Sequence, residues 1–303
     1  MGPTASGKTD VAISLCKRFP FDIISVDSAR VYRGMDVGTA KPDRQTIARV
    51  PHRLIDIRDP EEPYSAGEFV RDARSEMEAI YAAGRVPLLV GGTMMYFRAL
   101  TQGIAELPSA DEEIRDTIDA DAAELGWPAL HARLAEIDRE AAARINPNDS
   151  QRIQRALEVF MASGRTISDW QRTASSETRH DRIRYVKIGL LIEPRSILHE
   201  RIEERLGTML ERGFLEELRT LMGRPGLRRD SPSMRSVGYR QFWAHLDGEC
   251  SYDEALQKSL AATRQLAKRQ HTWLRSENEL ALVDPLETGA ISAISGILGR
   301  ELG

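Results

Sequence analysis

The sequence predicts an α/β fold in which a parallel sheet forms the core and an all-helical domain is inserted into it. Three observations lead there. A glycine-rich loop, Gly2-Pro-Thr-Ala-Ser-Gly7-Lys8-Thr9, opens a helix; this Gly-four-residue-Gly-Lys-Ser/Thr pattern is a P-loop, whose backbone N–H groups and helix N-terminus wrap a phosphate chain. Short apolar runs alternate with helical segments, as in parallel sheets joined by crossover helices. Between two such regions, residues 111–180 carry helical periodicity alone. The expected class is therefore a P-loop NTPase-like core, residues 1–110 and 181–303, interrupted by a helical insertion, residues 111–180.

Each element follows from the order of residues. After the loop, Val11, Ile13 and Leu15 supply the apolar side of a helix over 10–18. Phe21 to Asp27 is an apolar run ending in a carboxylate, and Leu54 to Ile57 and Val86 to Val90 share the look of buried strands. Phe69, Ala73, Met77 and Ile80 recur at helical spacing between Glu68 and Ala83, with Gly84 where a helix stops. The insertion is rich in alanine, arginine and glutamate and breaks at Gly126-Trp-Pro128 and Asn146-Pro-Asn148. Strand character returns at Tyr185 to Ile192, a helix runs from Arg195 to Glu211 before Gly213, and another spans Tyr252 to Arg275. A short strand at Leu280 to Val283 and a helix from Thr288 complete the chain, with no internal repeat or low-complexity linker. A P-loop normally follows a buried strand, and here Met1 directly precedes the first glycine; the expectation is that a strand of about five residues precedes Met1 in the natural protein.

Composition sets the limits. With 303 residues, 41% hydrophobic and 29% charged, the chain reads as globular, with one large core and an accessory lobe on a prior of about 150 residues per domain. No apolar run reaches the roughly 18 residues of a membrane span, and the first twenty residues do not read as a secretory signal, so the expected compartment is the cytoplasm. Cys16 and Cys250 have no partners at disulfide or zinc spacing and are expected to be buried thiols. A net charge of −4 weighs against a nucleic-acid partner unless basic residues cluster locally.

The P-loop establishes polyphosphate binding and leaves the transferred group open. Lys8 supplies a point charge and Thr9 an oxygen ligand for Mg²⁺. On this motif alone, a kinase of nucleotides or small metabolites is the plain reading. A second motif, Asp27-Ser-Ala-Arg-Val-Tyr-Arg-Gly-Met-Asp-Val-Gly-Thr-Ala-Lys-Pro42, puts a carboxylate just past a strand end, where open α/β sheets bind ligands. Asp27 also suits a helix cap.

Both motifs, together with Val90-Gly-Gly-Thr-Met-Met-Tyr96, Asn148 to Leu157, Met234 to Gln241, Thr263 to Gln270 and Thr272 to Arg275, resemble the tRNA dimethylallyltransferase (tRNA isopentenyltransferase) family in order and over nearly the whole chain. The resemblance implies transfer of a dimethylallyl group from dimethylallyl diphosphate to N6 of adenosine 37 in tRNAs that read codons beginning with U. It implies that Gly2, Pro3, Thr4, Ala5, Ser6, Gly7, Lys8, Thr9 and Arg205 hold the diphosphate, that Asp27 is the general base, and that Thr93 reaches the bridging oxygen. Arg201 and Arg205 lie four apart, on one helix face; a solvated surface face is the alternative reading of the pair, and only Arg205 matches the family.

The same resemblance assigns tRNA contacts to Asp27, Ser28, Ala29, Arg30, Thr93 and Arg115, to Gln151, Arg152, Ile153, Gln154 and Arg155, and to Arg235, Ser236, Val237, Gly238, Tyr239 and Arg240. An adenine in an anticodon loop must swing out to meet a buried carboxylate. Arg152 and Arg155 flank Ile153, Ala156, Leu157 and Phe160, so part of that segment is ordinary amphipathic helix. A monomer acting on the anticodon stem-loop with Mg²⁺ is the expected form.

Overall fold

The protein is described here by a computed structural model covering residues 1–105, 107–109, 111–177 and 183–302. In chain order the elements are α1 (Lys8–Cys16), β1 (Phe21–Val26), α2 (Arg44–Arg49), β2 (His52–Arg53), α3 (Ala66–Ala82), β3 (Val86–Gly91) and α4 (Met94–Gln102). Then come α5 (Glu112–Leu125), α6 (Trp127–Ile137), α7 (Arg139–Arg144), α8 (Ser150–Ser163) and α9 (Ile167–Glu177). The chain continues with β4 (Lys187–Leu190), α10 (Arg195–Glu211), α11 (Phe214–Met222), α12 (Tyr239–Leu246), α13 (Tyr252–Ser276), β5 (Leu280–Val283) and α14 (Ala290–Leu302). Two compact units result, Met1–Arg98 with Arg184–Gly303, and Ala99–Ile183. The predicted borders of the insertion at residues 110 and 180–181 lie outside the described residues.

All strand pairs of the first unit are parallel, as the α/β reading requires. One sheet has the order β2-β1-β3 and a second pairs β4 with β5. Residues Phe21 to Val26 face Val86 to Gly91 one for one, so β1 and β3 end together at their carboxyl edge. β1, in the middle, is buried from Ile23 to Val26, whereas β3 at the edge is half-buried over most of its length. Met1 lies beside β4: its nitrogen donates to the Ile188 carbonyl at 2.7 Å and its carbonyl accepts the Leu190 N–H at 2.8 Å, the slanted pattern of a parallel ladder.

Local chemistry explains where helices begin. Ser65 and Glu68 form a reciprocal capping box that starts α3, and Ser251 with Glu254 does the same for α13, each satisfying amide groups with no intrahelical partner. Leu15, Phe21, Leu190, Ile294 and Leu298 gather α1, β1, β4 and α14 into one apolar cluster.

The strand expected at Leu54–Ile57 is not one. The ladder with β1 stops at Arg53, because Leu54 and Asp56 take φ of 60° and 56°, left-handed conformations that no ladder continues. The segment is instead held by backbone bonds from Asp56, Ile57 and Arg58 to the Arg30 and Val31 carbonyls. Cys16 and Cys250 are free but only half-buried, which corrects the expectation of fully buried thiols.

The second unit is helical throughout its described elements. Ile118, Leu130, Leu134, Ala142, Ile153, Ala156 and Leu157 pack as its core. Asp111, Asp138 and Asp149 each accept a first-turn amide of the helix that follows, the role short carboxylates fill at N-caps. Gly126, at φ 83°, separates α5 from α6.

Candidate active site

The P-loop turns through a left-handed Gly7, φ 78°, into α1, a conformation glycine adopts without a Cβ penalty. Lys8 Nζ folds back to the Pro3 carbonyl at 2.5 Å. Lys8, Arg201 and Arg205 bond to this loop, and Arg30 stands close enough to act on Lys8 and Arg205. Arg205 reaches Thr4 Oγ1 at 3.3 Å and the Thr39 carbonyl at 3.4 Å, Arg201 Nε donates to the Ala5 carbonyl at 2.9 Å, and Arg30 Nη2 to the Ala40 carbonyl at 2.8 Å. The four-residue spacing of Arg201 and Arg205 does put both on the loop-facing side of α10, so Arg201 belongs with the cradle although only Arg205 was singled out from sequence.

These cations crowd together and are offset only in part by Asp27. Burial, then Arg205 and Arg30, push Lys8 down to about 7 against the opposing pull of Asp27. Burial and Arg30 likewise lower Arg205 to about 10. Burying like charges together is unfavourable unless an anionic group compensates them.

Asp27 and Thr93 leave neighbouring strands side by side. Val26 pairs with Gly91, and a Cβ on Gly91 would stand 1.9 Å from the Val26 carbonyl oxygen, so only glycine permits this approach. Thr93 N donates to Val26 O at 3.2 Å, and Thr93 Oγ1 accepts the Ser28 N–H at 3.0 Å. Asp27 Oδ1 accepts the amides of Ala29 at 2.9 Å and Arg30 at 3.4 Å. It therefore orders the turn after β1 rather than capping a helix. Its Oδ2 lies 3.8 Å from Arg30 Nε, with the side chain 32% exposed, which leaves that oxygen accessible to a proton donor.

Gln270, on α13, joins the two parts of the site. Its Oε1 accepts the Thr4 N–H at 2.9 Å and its Nε2 donates to the Gly92 carbonyl at 2.7 Å. A Cβ on Gly92 would lie 2.6 Å from Gln270 Nε2 and push that amide off its bonds. The sequence signal was present in the Thr263 to Gln270 motif, yet nothing local marks this glutamine as a bridge to the P-loop.

Thr9 opens α1, and its hydroxyl makes no hydrogen bond among the described residues. No group of three or more His, Cys, Asp or Glu stands together as a metal cage among them. This donor set suits Mg²⁺, which is held chiefly by substrate phosphate and water with few protein ligands.

The residues expected to face RNA divide into exposed and buried. In the helical unit Arg152 is 72% exposed and pairs with Asp149 at 2.8 Å, and Gln151 is exposed. Gln154 Nε2 donates to Asp119 at 2.7 Å. Arg115 and Arg155 both bind the fully buried Glu158, at 2.8 and 2.7 Å, a partner sequence reasoning missed. Ile153, in contrast, is wholly inside the helical core, as an apolar residue on the inner face of an amphipathic helix must be. Arg235 and Arg240 are exposed and Ser236 and Val237 half-buried. Gly238, buried at φ 94°, donates its N–H to Gln241. Tyr239 is fully buried, its ring against Phe214 and its hydroxyl on Glu217 at 2.6 Å. Ile153 and Tyr239 are interior residues whose side chains pack inside the segments named for RNA contact.

The IPP transferase family model matches residues 30–277. The chain is 36% identical to a full-length tRNA isopentenylpyrophosphate transferase from Bacillus halodurans, covering 99% of this chain and 95% of that one at a TM-score of 0.69. It is 31% identical to a tRNA delta(2)-isopentenylpyrophosphate transferase from Staphylococcus epidermidis, covering 99% and 97% at a TM-score of 0.70. A eukaryotic dimethylallyltransferase acting on tRNA, 23% identical and covering 99% and 78%, shares the fold at a TM-score of 0.80. Matched in sequence over most of its length and in fold over nearly all of it, the chain belongs to the IPP transferase family.

Proposed function

We propose that this chain transfers the dimethylallyl group of dimethylallyl diphosphate to N6 of adenosine 37 in tRNAs reading codons that begin with U, releasing diphosphate. The observation that carries the reading is the cluster of Lys8, Arg30, Arg201 and Arg205 around the P-loop, with Asp27 and Thr93 at its edge. A kinase reading is not favoured, given the family membership. The relatives' substrates, named above, support the donor and acceptor classes.

In this reading the loop amides, Lys8, Arg201 and Arg205 receive the diphosphate, and their fixed charge stabilises the leaving group more as the C–O bond breaks than before. The exocyclic amine of adenine is a poor nucleophile because its lone pair is delocalised. Asp27 Oδ2 accepts a hydrogen bond and then the proton as N6 attacks C1. Thr93 donates to the bridging oxygen. Mg²⁺, with Thr9 among its ligands, would supply further neutralisation of the diphosphate charge. Ser28, Ala29, Arg30, Arg115, the 151–155 segment and the 235–240 segment are proposed to hold the anticodon loop. No described helix is long and apolar enough to cross a membrane, and a cytoplasmic monomer is the proposed form.

Incubating the chain with dimethylallyl diphosphate, Mg²⁺ and unmodified tRNA, followed by nucleoside mass analysis, tests donor, acceptor and reaction together. Dimethylallyl-adenosine is the expected product. An unmodified nucleoside pool alongside phosphorylation of a nucleotide would overturn the reading.

A further inference from the structure

Glu217, on α11, accepts three consecutive backbone amides: Asp36 at 2.8 Å, Val37 at 2.6 Å and Gly38 at 3.1 Å. Successive N–H groups turned toward one point form a nest that ordinarily grips a bound anion. Here the protein fills the nest with its own carboxylate. Tyr239 adds a fourth donor, its hydroxyl 2.6 Å from Glu217 Oε1. Burial and the Glu217 carboxylate hold the phenol well above its ordinary range, so it remains a donor. The approach is close: a Cβ on Gly38 would lie 2.3 Å from the Phe214 ring and 2.6 Å from Tyr239.

The clamped segment leads directly into the arginine contacts of the cradle. Its next two carbonyls hold the arginines of the cradle: Thr39 O accepts Arg205 Nη2 at 3.4 Å and Arg30 Nε at 3.5 Å, and Ala40 O accepts Arg30 Nη2 at 2.8 Å. Carbonyl oxygens fix a guanidinium without cancelling its charge, which a carboxylate would do. Among the described residues Arg205 has no carboxylate ion pair, and Arg30 meets Asp27 only at 3.8 Å. Two guanidiniums repel each other in the absence of an anion, so a rigid acceptor is needed to keep both aimed inward.

We infer that Glu217, with Tyr239, is a positioning residue for the diphosphate site: it locks the Asp36 to Gly38 backbone and so holds Arg30 and Arg205 for the donor. The inference rests on the functional reading above and adds a residue that never touches the substrate.

Glu217→Gln tests it, because one carboxylate oxygen becomes an NH₂ group facing amide donors, with almost no change in volume. Calorimetric binding of inorganic diphosphate to the full chain, together with steady-state kinetics, supplies the readout. Expected is a loss of diphosphate affinity of about tenfold or more, the size of a charge-assisted hydrogen-bond set. Because the same arginines act on the leaving group as the C–O bond breaks, kcat/KM for dimethylallyl diphosphate should fall by at least the same factor. Tyr239→Phe keeps the ring against Phe214 and should give a shift of about fivefold in the same direction. If Glu217→Gln does not fold, Tyr239→Phe decides. Unchanged diphosphate affinity in a folded variant is what a merely structural role gives and overturns the inference. Wild-type protein that binds no diphosphate and transfers no dimethylallyl group overturns the functional reading itself.

Discussion

Thr93 Oγ1 accepts the backbone N–H of Ser28 at 3.0 Å, so the turn after β3 is tied to the turn that carries Asp27. The two side chains proposed for opposite ends of the reaction, proton removal and leaving-group departure, share one rigid edge of the sheet. Asp27→Asn should leave tRNA binding largely intact and cut turnover by roughly 100-fold or more, the usual size of a general-base contribution. Thr93→Ala should cost less, mainly in turnover. Near-normal single-turnover rates in Asp27→Asn would remove that residue from the mechanism.

Lys8 makes the donor site pH-sensitive. Its amine sits at about 7 without an anion, pushed down by burial, Arg205 and Arg30, and a bound diphosphate raises it again. At pH 8, dimethylallyl diphosphate binding should therefore take up close to one proton, read by calorimetry in buffers of different ionisation enthalpy. Lys8→Met should abolish the uptake. For stability the sign is opposite to the usual gain from a charged partner. The free protein is penalised by this buried cation below pH about 7, and the penalty fades as pH rises toward the ordinary lysine value.

Gln270 spans the P-loop and the turn that holds Thr93. Gln270→Ala removes both bonds and lets the cradle move relative to Thr93. Misplacement of about 1 Å in a positioned site costs on the order of 100-fold, so kcat/KM for dimethylallyl diphosphate should fall by about tenfold or more, with tRNA affinity retained. A variant with wild-type kinetics would show that the bridge is dispensable.

Arg152 and Arg155 lie on one helix with different surroundings. Arg152 is largely exposed, and Arg152→Ala should weaken tRNA binding and reduce the slope of log affinity against log salt by about one. Arg155 ties the buried Glu158 to the Pro108 carbonyl. Arg155→Ala should cost on the order of 2 kcal/mol of stability, the penalty for a buried acceptor losing a partner, seen as a lower Tm. Equal effects of the two variants on salt slope and Tm would contradict this division.

Elements set by near-neighbour chemistry were legible. The helix over Arg195 to Glu211 and the strand at Leu280 to Val283 appear as predicted, because apolar periodicity and a following break suffice to mark them. The apolar run Leu54 to Ile57 misled because hydrophobicity says nothing of φ, and a left-handed Leu54 and Asp56 end the ladder early. Ile153 and Tyr239 stand within motifs of polar residues and yet lie in the interior, because a side chain's burial depends on which element packs over it.

Residue order alone determined the Gly-four-residue-Gly-Lys-Thr loop and the acid at the end of β1, each written in a few consecutive residues, and the parallel α/β class, written in the alternation of strands and helices. Tertiary structure alone decided that Gln270 meets Thr4 across 266 positions, that Arg201 joins Arg205 on the loop, and that Glu217 clamps the segment whose next carbonyls hold Arg30 and Arg205. The reason is physical: a hydrogen bond between distant elements depends on how sheet and helices pack, and packing leaves no periodic trace at either partner.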